Sequence, residues 1–218
     1  MCQNPPKACI LCCYEDPSPF VSVKGRDYFH CEVCDLVFLH PSQRPNPEEE
    51  LKEYQQHNND PCDPGYRRHL RKLTDPLLDG LPVSVKGLDF GAGPGPAISA
   101  MLGEQGFEVA NYDPYFSPDK GVLLKRYDFI CCSEVAEHFY QPAEAFDLIG
   151  SLLAWGGRLG VMTQFRPKEI EFADWYYIKQ SSHVTFYNET TFCWLAETQG
   201  WSIKHLKDPI VIFEILNS

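Results

Sequence analysis

No apolar run in this chain approaches the roughly 20 residues that a membrane-spanning helix needs. No segment repeats, and none is of low complexity. Met1 to Ile10 holds two prolines and no apolar stretch, which reads as no secretory signal. Positive charge is scarce: 19 Lys and Arg stand against 30 Asp and Glu, for a formal net charge of −11. A phosphate backbone calls for a basic face, so a nucleic acid is not expected as the main partner. The one dense basic cluster, Arg67, Arg68, Arg71 and Lys72, reads as the solvated stripe of a helix.

What is present fits an ordinary globular protein, 44% apolar and 22% charged. A chain of 218 residues can bury one α/β core, with about sixty residues left for an appendage. Ten cysteines in a short secreted chain would suggest disulfides. Without a secretory signal they point to a reducing, cytoplasmic compartment. Cys2, Cys13, Cys62 and Cys193 are scattered, and Cys131 and Cys132 sit in an apolar strand pattern, where a thiol packs as a small hydrophobe.

The other four cysteines are ordered. Cys9-x2-Cys12, eighteen residues, then Cys31-x2-Cys34 is the spacing of a four-thiolate zinc ribbon. The compartment disfavours disulfides here, and the spacing disfavours unconnected core cysteines. A tetrathiolate site is saturated, so its zinc would be structural and would supply folding energy that so short a segment lacks. Phe20 to Val23 and Tyr28 to His30 read as strands joined by a turn at Lys24-Gly25-Arg26, with a third run over Leu36 to Leu39. Five Lys and Arg against ten acids in the first sixty residues leave the ribbon no nucleic-acid surface.

Pro41 to Pro47 is a linker, followed by helices over Glu48 to Gln56 and Tyr66 to Leu78. Leu70, Leu73, Leu77 and Leu78 share one face of the second, and Pro76 sits near its end. From Val85 strands and helices alternate. Strands are expected at Val85 to Phe90, Phe107 to Tyr112, Tyr127 to Cys132 and Arg158 to Thr163. Helices are expected at Pro96 to Gln105, Pro142 to Ala154 and Asn188 to Gln199. Such alternation predicts a parallel sheet covered on both faces. Trp201 to Leu206 and Ile210 to Leu216 are too close for a crossover and must pair antiparallel.

Leu88-Asp89-Phe90-Gly91-Ala92-Gly93-Pro94-Gly95-Pro96 joins the first of these strands to the first helix. Its glycines let a ligand approach the backbone, and the following helix offers free N–H groups to a carboxylate. A dinucleotide fingerprint would put glycine at position 96, where this chain has proline. The pattern D-x-G-x-G-x-G is the one expected of an S-adenosylmethionine site. Asp113 closes the second strand about 20 residues on, where an acid can take both ribose hydroxyls.

On this loop, on Asp113, on Tyr127 to His138 (YDFICCSEVAEH) and on Gly156-Gly157-Arg158-Leu159, the chain resembles the class I methyltransferases from about Val85 to Ser218. The Glu134-Val135-Ala136-Glu137-His138 stretch and Ser182 to Tyr187 look most like the branch acting on quinones, sugars and other small molecules. Some of those enzymes carry a similar N-terminal cysteine module, sugar C-methyltransferases included. The resemblance implies a Rossmann-like α/β fold: a seven-stranded, mostly parallel sheet with an antiparallel last strand, preceded by the small zinc ribbon. The implied division is ribbon 1–40, linker and cofactor-covering helices 41–84, and methyltransferase domain 85–218.

It further implies that Asp89, Phe90, Gly91, Ala92 and Gly93 cradle the methionine part of S-adenosylmethionine or S-adenosylhomocysteine. Asp113 with Pro114 would hold the ribose, and Ser133 and Glu134 would line the cofactor. Only fourteen residues separate Asp113 from Asp128, too few for a helix and a full third strand. A remnant around Val122 to Lys125 is expected, with Tyr115 and Phe116 as adenine-stacking candidates. Tyr54 to Asp60 and Gly65 to Arg67 read as a cover for the cleft or as plain linker. His138 and His183 are the candidate catalytic residues at a small-molecule acceptor; the plainer alternatives are a turn cap for His138 and a loop-fixing hydrogen bond for His183. The aromatics Trp175, Tyr176, Tyr177, Phe186 and Tyr187 are either core or a pocket wall. Rival readings are a non-catalytic scaffold that binds the cofactor and a nucleic-acid methyltransferase guided by the ribbon.

Overall fold

The computed structural model describes residues 5–56, 59–168 and 171–216; Cys2, His57 and Asn58 of the readings above lie outside them. Strands β1 (Ser18–Val23) and β2 (Arg26–His30) form the expected hairpin, and β3 (Val37–Leu39) adds to it antiparallel. Asn46 then caps helix α1 (Pro47–Tyr54), its side chain accepting from the N–H groups of Glu48 and Glu49 while Glu49 reaches back to the Asn46 N–H. Asp63 caps α2 (Pro64–Leu78). Pro76 lies inside its last turn, where it interrupts the ladder too late to stop the helix before Leu78. Arg68, Arg71 and Lys72 are exposed, the solvated stripe that was expected.

The α/β part follows: β4 (Lys86–Phe90), α3 (Ala97–Gly103), β5 (Glu108–Tyr112), β6 (Tyr127–Ser133), α4 (Pro142–Leu152) and β7 (Leu153–Met162). It continues with β8 (Thr185–Phe186), α5 (Glu189–Gln199, capped by Asn188), β9 (Trp201–Lys207) and β10 (Ile210–Ile215). The main sheet runs β5-β4-β6-β7-β10-β9, with β5, β4, β6 and β7 parallel and β10 antiparallel to both neighbours. It has six strands rather than the seven expected. Between β5 and β6 the chain makes only a 3-10 turn at Lys120–Leu124, so β5 is the edge. Fourteen residues cannot lay down a crossover and a further strand.

Period-two alternation sorts side chains between two layers. Leu88, Ile130, Cys132, Leu159, Val161, Val211 and Phe213 meet α4 and α5 through Phe146, Ile149, Phe192 and Leu195. Phe129, Cys131, Met162, Ile210 and Ile212 face α2 and α3 through Leu70, Leu73, Leu77, Ile98 and Met101.

The N-terminal sheet does not stand apart. Strand β8, from the segment after β7, pairs with β3, giving a second sheet of order β1-β2-β3-β8. Tyr28, Val37 and Leu39 pack with Phe172, Trp175, Ile178, Val184 and Phe186 of that later segment. Most of the aromatic cluster, Trp175 and Phe186 included, is therefore core, while Tyr176 and Tyr177 also reach a cavity wall.

Candidate functional site

A cavity of about 900 Å³ opens at the carboxyl ends of β4, β5 and β6. Chains leave β4 toward β5 on one side and β6 on the other, so it sits where the strand order reverses, the usual ligand crevice of an open α/β sheet. Every cofactor residue expected from the sequence lines it: Asp89 to Gly93, Asp113, Pro114, Ser133 and Glu134.

The glycine loop is held by its neighbour strand. The N–H groups of Gly91 and Ala92 donate to the Tyr112 carbonyl at 2.8 and 3.1 Å. Gly91 has φ +82°, and a Cβ there would lie 2.4 Å from a Val135 methyl. Gly95 has no such φ, but its Cβ would fall 2.1 Å from the Asn59 carbonyl oxygen, so the segment before α2 lies directly on the loop. Asp113 is almost buried. Its Oδ2 accepts from the Gly93 N–H at 2.9 Å, and its Oδ1 from those of Tyr115 and Phe116 at 2.8 and 3.0 Å. By that count Oδ2 keeps a lone pair for a further donor, whereas both of Oδ1's are engaged. Asp89 is also buried, and desolvation, then the nearby Asp113 charge, pushes its carboxyl up to about 7.

Helix α1 forms one wall. Glu50, its buried residue, accepts from the hydroxyls of Tyr54 and Tyr115, both at 2.7 Å, which ties α1 to the loop after β5. Tyr54, Asn59 and Tyr66 line the cavity, as a cover would, whereas Arg67 turns outward to Glu104. Tyr115 and Phe116 line it too.

The opposite end is rich in ionisable groups. Glu134 has φ +54°, and its carboxylate lies 3.3 Å from His69 Nε2 on α2 and accepts from the Tyr177 hydroxyl at 3.1 Å. The same hydroxyl is 2.5 Å from Glu137 Oε1, and Thr163 Oγ1 is 3.2 Å from it. Burial first, and the Glu134 charge next, push the fully buried Glu137 carboxyl up to about 8. Burial and the two glutamates raise Tyr177 well above the usual phenol range. His138 and His183 meet here with ring centroids 4.8 Å apart. His138 Nδ1 lies 3.0 Å from the Ser182 carbonyl, and His183 Nδ1 is 2.7 Å from that of Tyr177. The loop-fixing hydrogen bond is thus present at His183, and both rings still line the cavity.

Sequence reasoning missed Glu50, His69 and Glu137. His69 had a faint signal, one helical turn from Tyr66 on the face beside Leu70. Glu137 stood inside the motif already quoted. Glu50 looked like one more acid in a first turn.

The four cysteines converge as expected, with Cys9 Sγ 3.6 Å from Cys34 Sγ, Cys12 Sγ 3.3 Å from Cys31 Sγ, and all four sulfurs within 4.8 Å of one another. Tetrahedral zinc with bonds near 2.3 Å sets sulfurs about 3.8 Å apart. A hydrogen bond from Cys34 lowers Cys9 to about 5, while burial raises Cys12 to about 12. So close a group of sulfurs cannot all be thiolates without a cation among them.

Residues 63–206 match the family model described as a methyltransferase domain. Among solved structures the chain is similar to the 1,6-didemethyltoxoflavin-N1-methyltransferase of Burkholderia thailandensis, crystallised with 1,6-didemethyltoxoflavin and S-adenosylhomocysteine. Identity is 14%, covering 92% of this chain and 100% of that one, with a TM-score of 0.56. It is also similar to the PH0226 protein of Pyrococcus horikoshii OT3, at 15% identity over 75% of this chain and 98% of that one, with a TM-score of 0.52. At such identities the likeness is one of fold. No curated protein matches the chain.

Proposed function

The chain belongs to the methyltransferase domain family and is an S-adenosylmethionine-dependent methyltransferase; from that premise we propose that it methylates a small molecule held between the glycine loop and the His138–His183 end of the cavity. The observation that carries this reading is the continuity of the cavity, which joins the cofactor residues to a walled end rich in ionisable groups. The formal net charge of −11 disfavours a nucleic acid. The similarly folded Burkholderia enzyme is a methyltransferase named for a small molecule, 1,6-didemethyltoxoflavin.

The residues present fit the cofactor. Gly91 and Gly93 line the cavity with no side chain between their backbone and a ligand, and the buried Ser133 Oγ, on the same lining, has no hydrogen-bond partner among the described residues. In this reading Asp113 holds the ribose through the open position on Oδ2, while Asp89 and residues 90–93 hold the amino-acid end. Ser133 and Glu134 line the sulfur side. When bound, S-adenosylmethionine supplies a methyl group on a positively charged sulfur. The chain has to align the acceptor and keep water out, which α1, Asn59 and Tyr177 do by walling the cavity. His138 and His183 act on the acceptor's ionisable proton.

Zinc in the four-cysteine cluster belongs to the same proposal, as a structural ion held by Cys9, Cys12, Cys31 and Cys34. Calorimetry with S-adenosylhomocysteine on zinc-loaded protein tests the cofactor assignment. Uptake of one equivalent is expected, weakened about tenfold or more in Asp113→Asn, which loses a charge-assisted hydrogen bond worth about 1.5–3 kcal/mol. Absence of uptake by the parent protein would overturn the reading.

A further inference from the structure

One arrangement at the acceptor end goes beyond what methyl transfer requires. Glu137 Oε1 lies 4.0 Å from His138 Nε2 and 4.0 Å from His183 Nε2. A ligand atom from each of the three residues lies within 4.8 Å of the other two. Both imidazoles are oriented through their other nitrogen, His138 Nδ1 on the Ser182 carbonyl and His183 Nδ1 on the Tyr177 carbonyl. A carbonyl oxygen only accepts, so each Nδ1 carries the proton in that bond, which makes Nε2 the nitrogen available to a metal when the ring is neutral. The two Nε2 atoms and the Glu137 carboxyl therefore face one another. Glu137 is fully buried, and its Oε2 has no hydrogen-bond partner among the described residues. Electron-rich groups gathered away from water are costly unless a positive charge stands among them.

We propose that Glu137, His138 and His183 form a binding site for a divalent transition-metal ion, separate from the four-cysteine cluster. Two imidazoles and one carboxylate with positions left open suit first-row ions such as cobalt, iron, manganese or zinc. The Nδ1–carbonyl bonds are the outer contacts by which metal-binding histidines are held in one tautomer. Bonds of about 2.1 Å require N···O separations near 3–3.5 Å. Small side-chain rotations bring the observed 4.0 Å spacings into that range. A proton would serve Glu137 and one histidine, whereas an ion with several coordination positions uses all three.

The site opens on the same cavity as Asp113 and the glycine loop. It therefore selects an acceptor bearing an ionisable oxygen, an enol or hydroxyl that the ion makes more acidic. With both Nε2 atoms ligating the ion, the imidazoles act on the acceptor's proton only through it: the proton passes to solvent, the O–C bond forms as the C–S bond breaks, and a neutral thioether leaves. This catalytic meaning rests on the methyltransferase reading of the cavity; binding of the ion does not.

The test is a cobalt(II) titration of the full chain, loaded with one zinc per chain, followed by calorimetry and visible absorption. One further equivalent of cobalt is expected, without the intense near-ultraviolet charge transfer that thiolate ligation gives. Glu137→Gln and His183→Ala should each weaken that uptake at least tenfold while keeping one zinc and the parent's far-ultraviolet spectrum. No cobalt uptake by the parent, uptake only with thiolate charge transfer, or uptake unchanged in both variants would overturn the proposal. S-Adenosylhomocysteine binding on the same sample separates the two inferences, since the cofactor can bind where cobalt does not.

Discussion

The guanidinium of Arg26, on the hairpin strand β2, donates to the main-chain oxygen of His183 at 3.1 Å. Its other bonds reach the carbonyls of Ile178, Gln180 and Ser181 at 3.1, 3.4 and 2.9 Å. One side chain near the N-terminus thus gathers the whole loop that carries His183. The planar, always-charged guanidinium suits this, because it can serve several carbonyls at once.

Arg26→Ala should loosen that loop without touching either the cysteines or the glycine loop. Hydrogen exchange over residues 176–183 is the readout, and faster exchange is expected there. The overall stability loss should be about 2–3 kcal/mol, since the bonds are charge-assisted but partly exposed. Unchanged protection would mean that the loop is held by its packing alone.

Gly95→Ala places a methyl group 2.1 Å from the Asn59 carbonyl, so the covering segment has to move. The fold should survive, because Gly95 is not among the positive-φ residues. S-Adenosylhomocysteine affinity should fall about tenfold or more, or about 1.4 kcal/mol, with the thermal midpoint little changed. Equal affinity would show that Asn59 does not cover the bound ligand.

Removing zinc with a chelator, or Cys31→Ser, should unfold the hairpin. Structural zinc supplies roughly 10–16 kcal/mol of binding energy to such modules, comparable to or above the roughly 5–15 kcal/mol of a whole domain. Since Cys9, Cys31 and Cys34 share a core cluster with Tyr187 and Phe192, the loss should spread into the main domain and the His183 loop. Metal analysis and calorimetric melting, before and after chelation, measure it. A chelated protein melting like the zinc-loaded one would refute the structural role.

Asp89 makes stability depend on pH. Its folded-state value, raised to about 7 from the ordinary carboxylate range, means that the unfolded chain releases this proton first. Stability is therefore full below the unfolded value near 4 and falls as pH rises through about 7. Asp89→Asn should leave stability at pH 4 nearly unchanged and raise it by about 2–4 kcal/mol at pH 8, while weakening cofactor binding. Denaturant unfolding at the two pH values checks this; an equal effect at both would place the cause elsewhere.

Strands of the main sheet were readable as short local apolar runs, because both faces are covered and neighbours such as Phe129 and Ile130 are each buried in a different layer. The cysteine spacing and the glycine loop with Asp113 were readable for the same reason, since each is a short motif with its own geometry. Arg26, Glu50 and His69 were not. Arg26 bonds across 155 residues to Ser181, and Glu50 across 65 to Tyr115, and no local pattern distinguishes either from a solvated surface charge. The aromatic segment was ambiguous because it does two things: Trp175 and Phe186 pack under the hairpin, while Tyr177 bridges two glutamates.

The pairing of β8 with β3 bears on anyone wishing to trim the protein. A fragment cut to the family-matched span would forfeit β3, baring Phe172, Trp175 and Phe186 to water as a sticky face beside an orphaned strand edge. It would also lose β10, which lies between β7 and β9, so the sheet would part in its interior rather than at its rim. Such a fragment should precipitate.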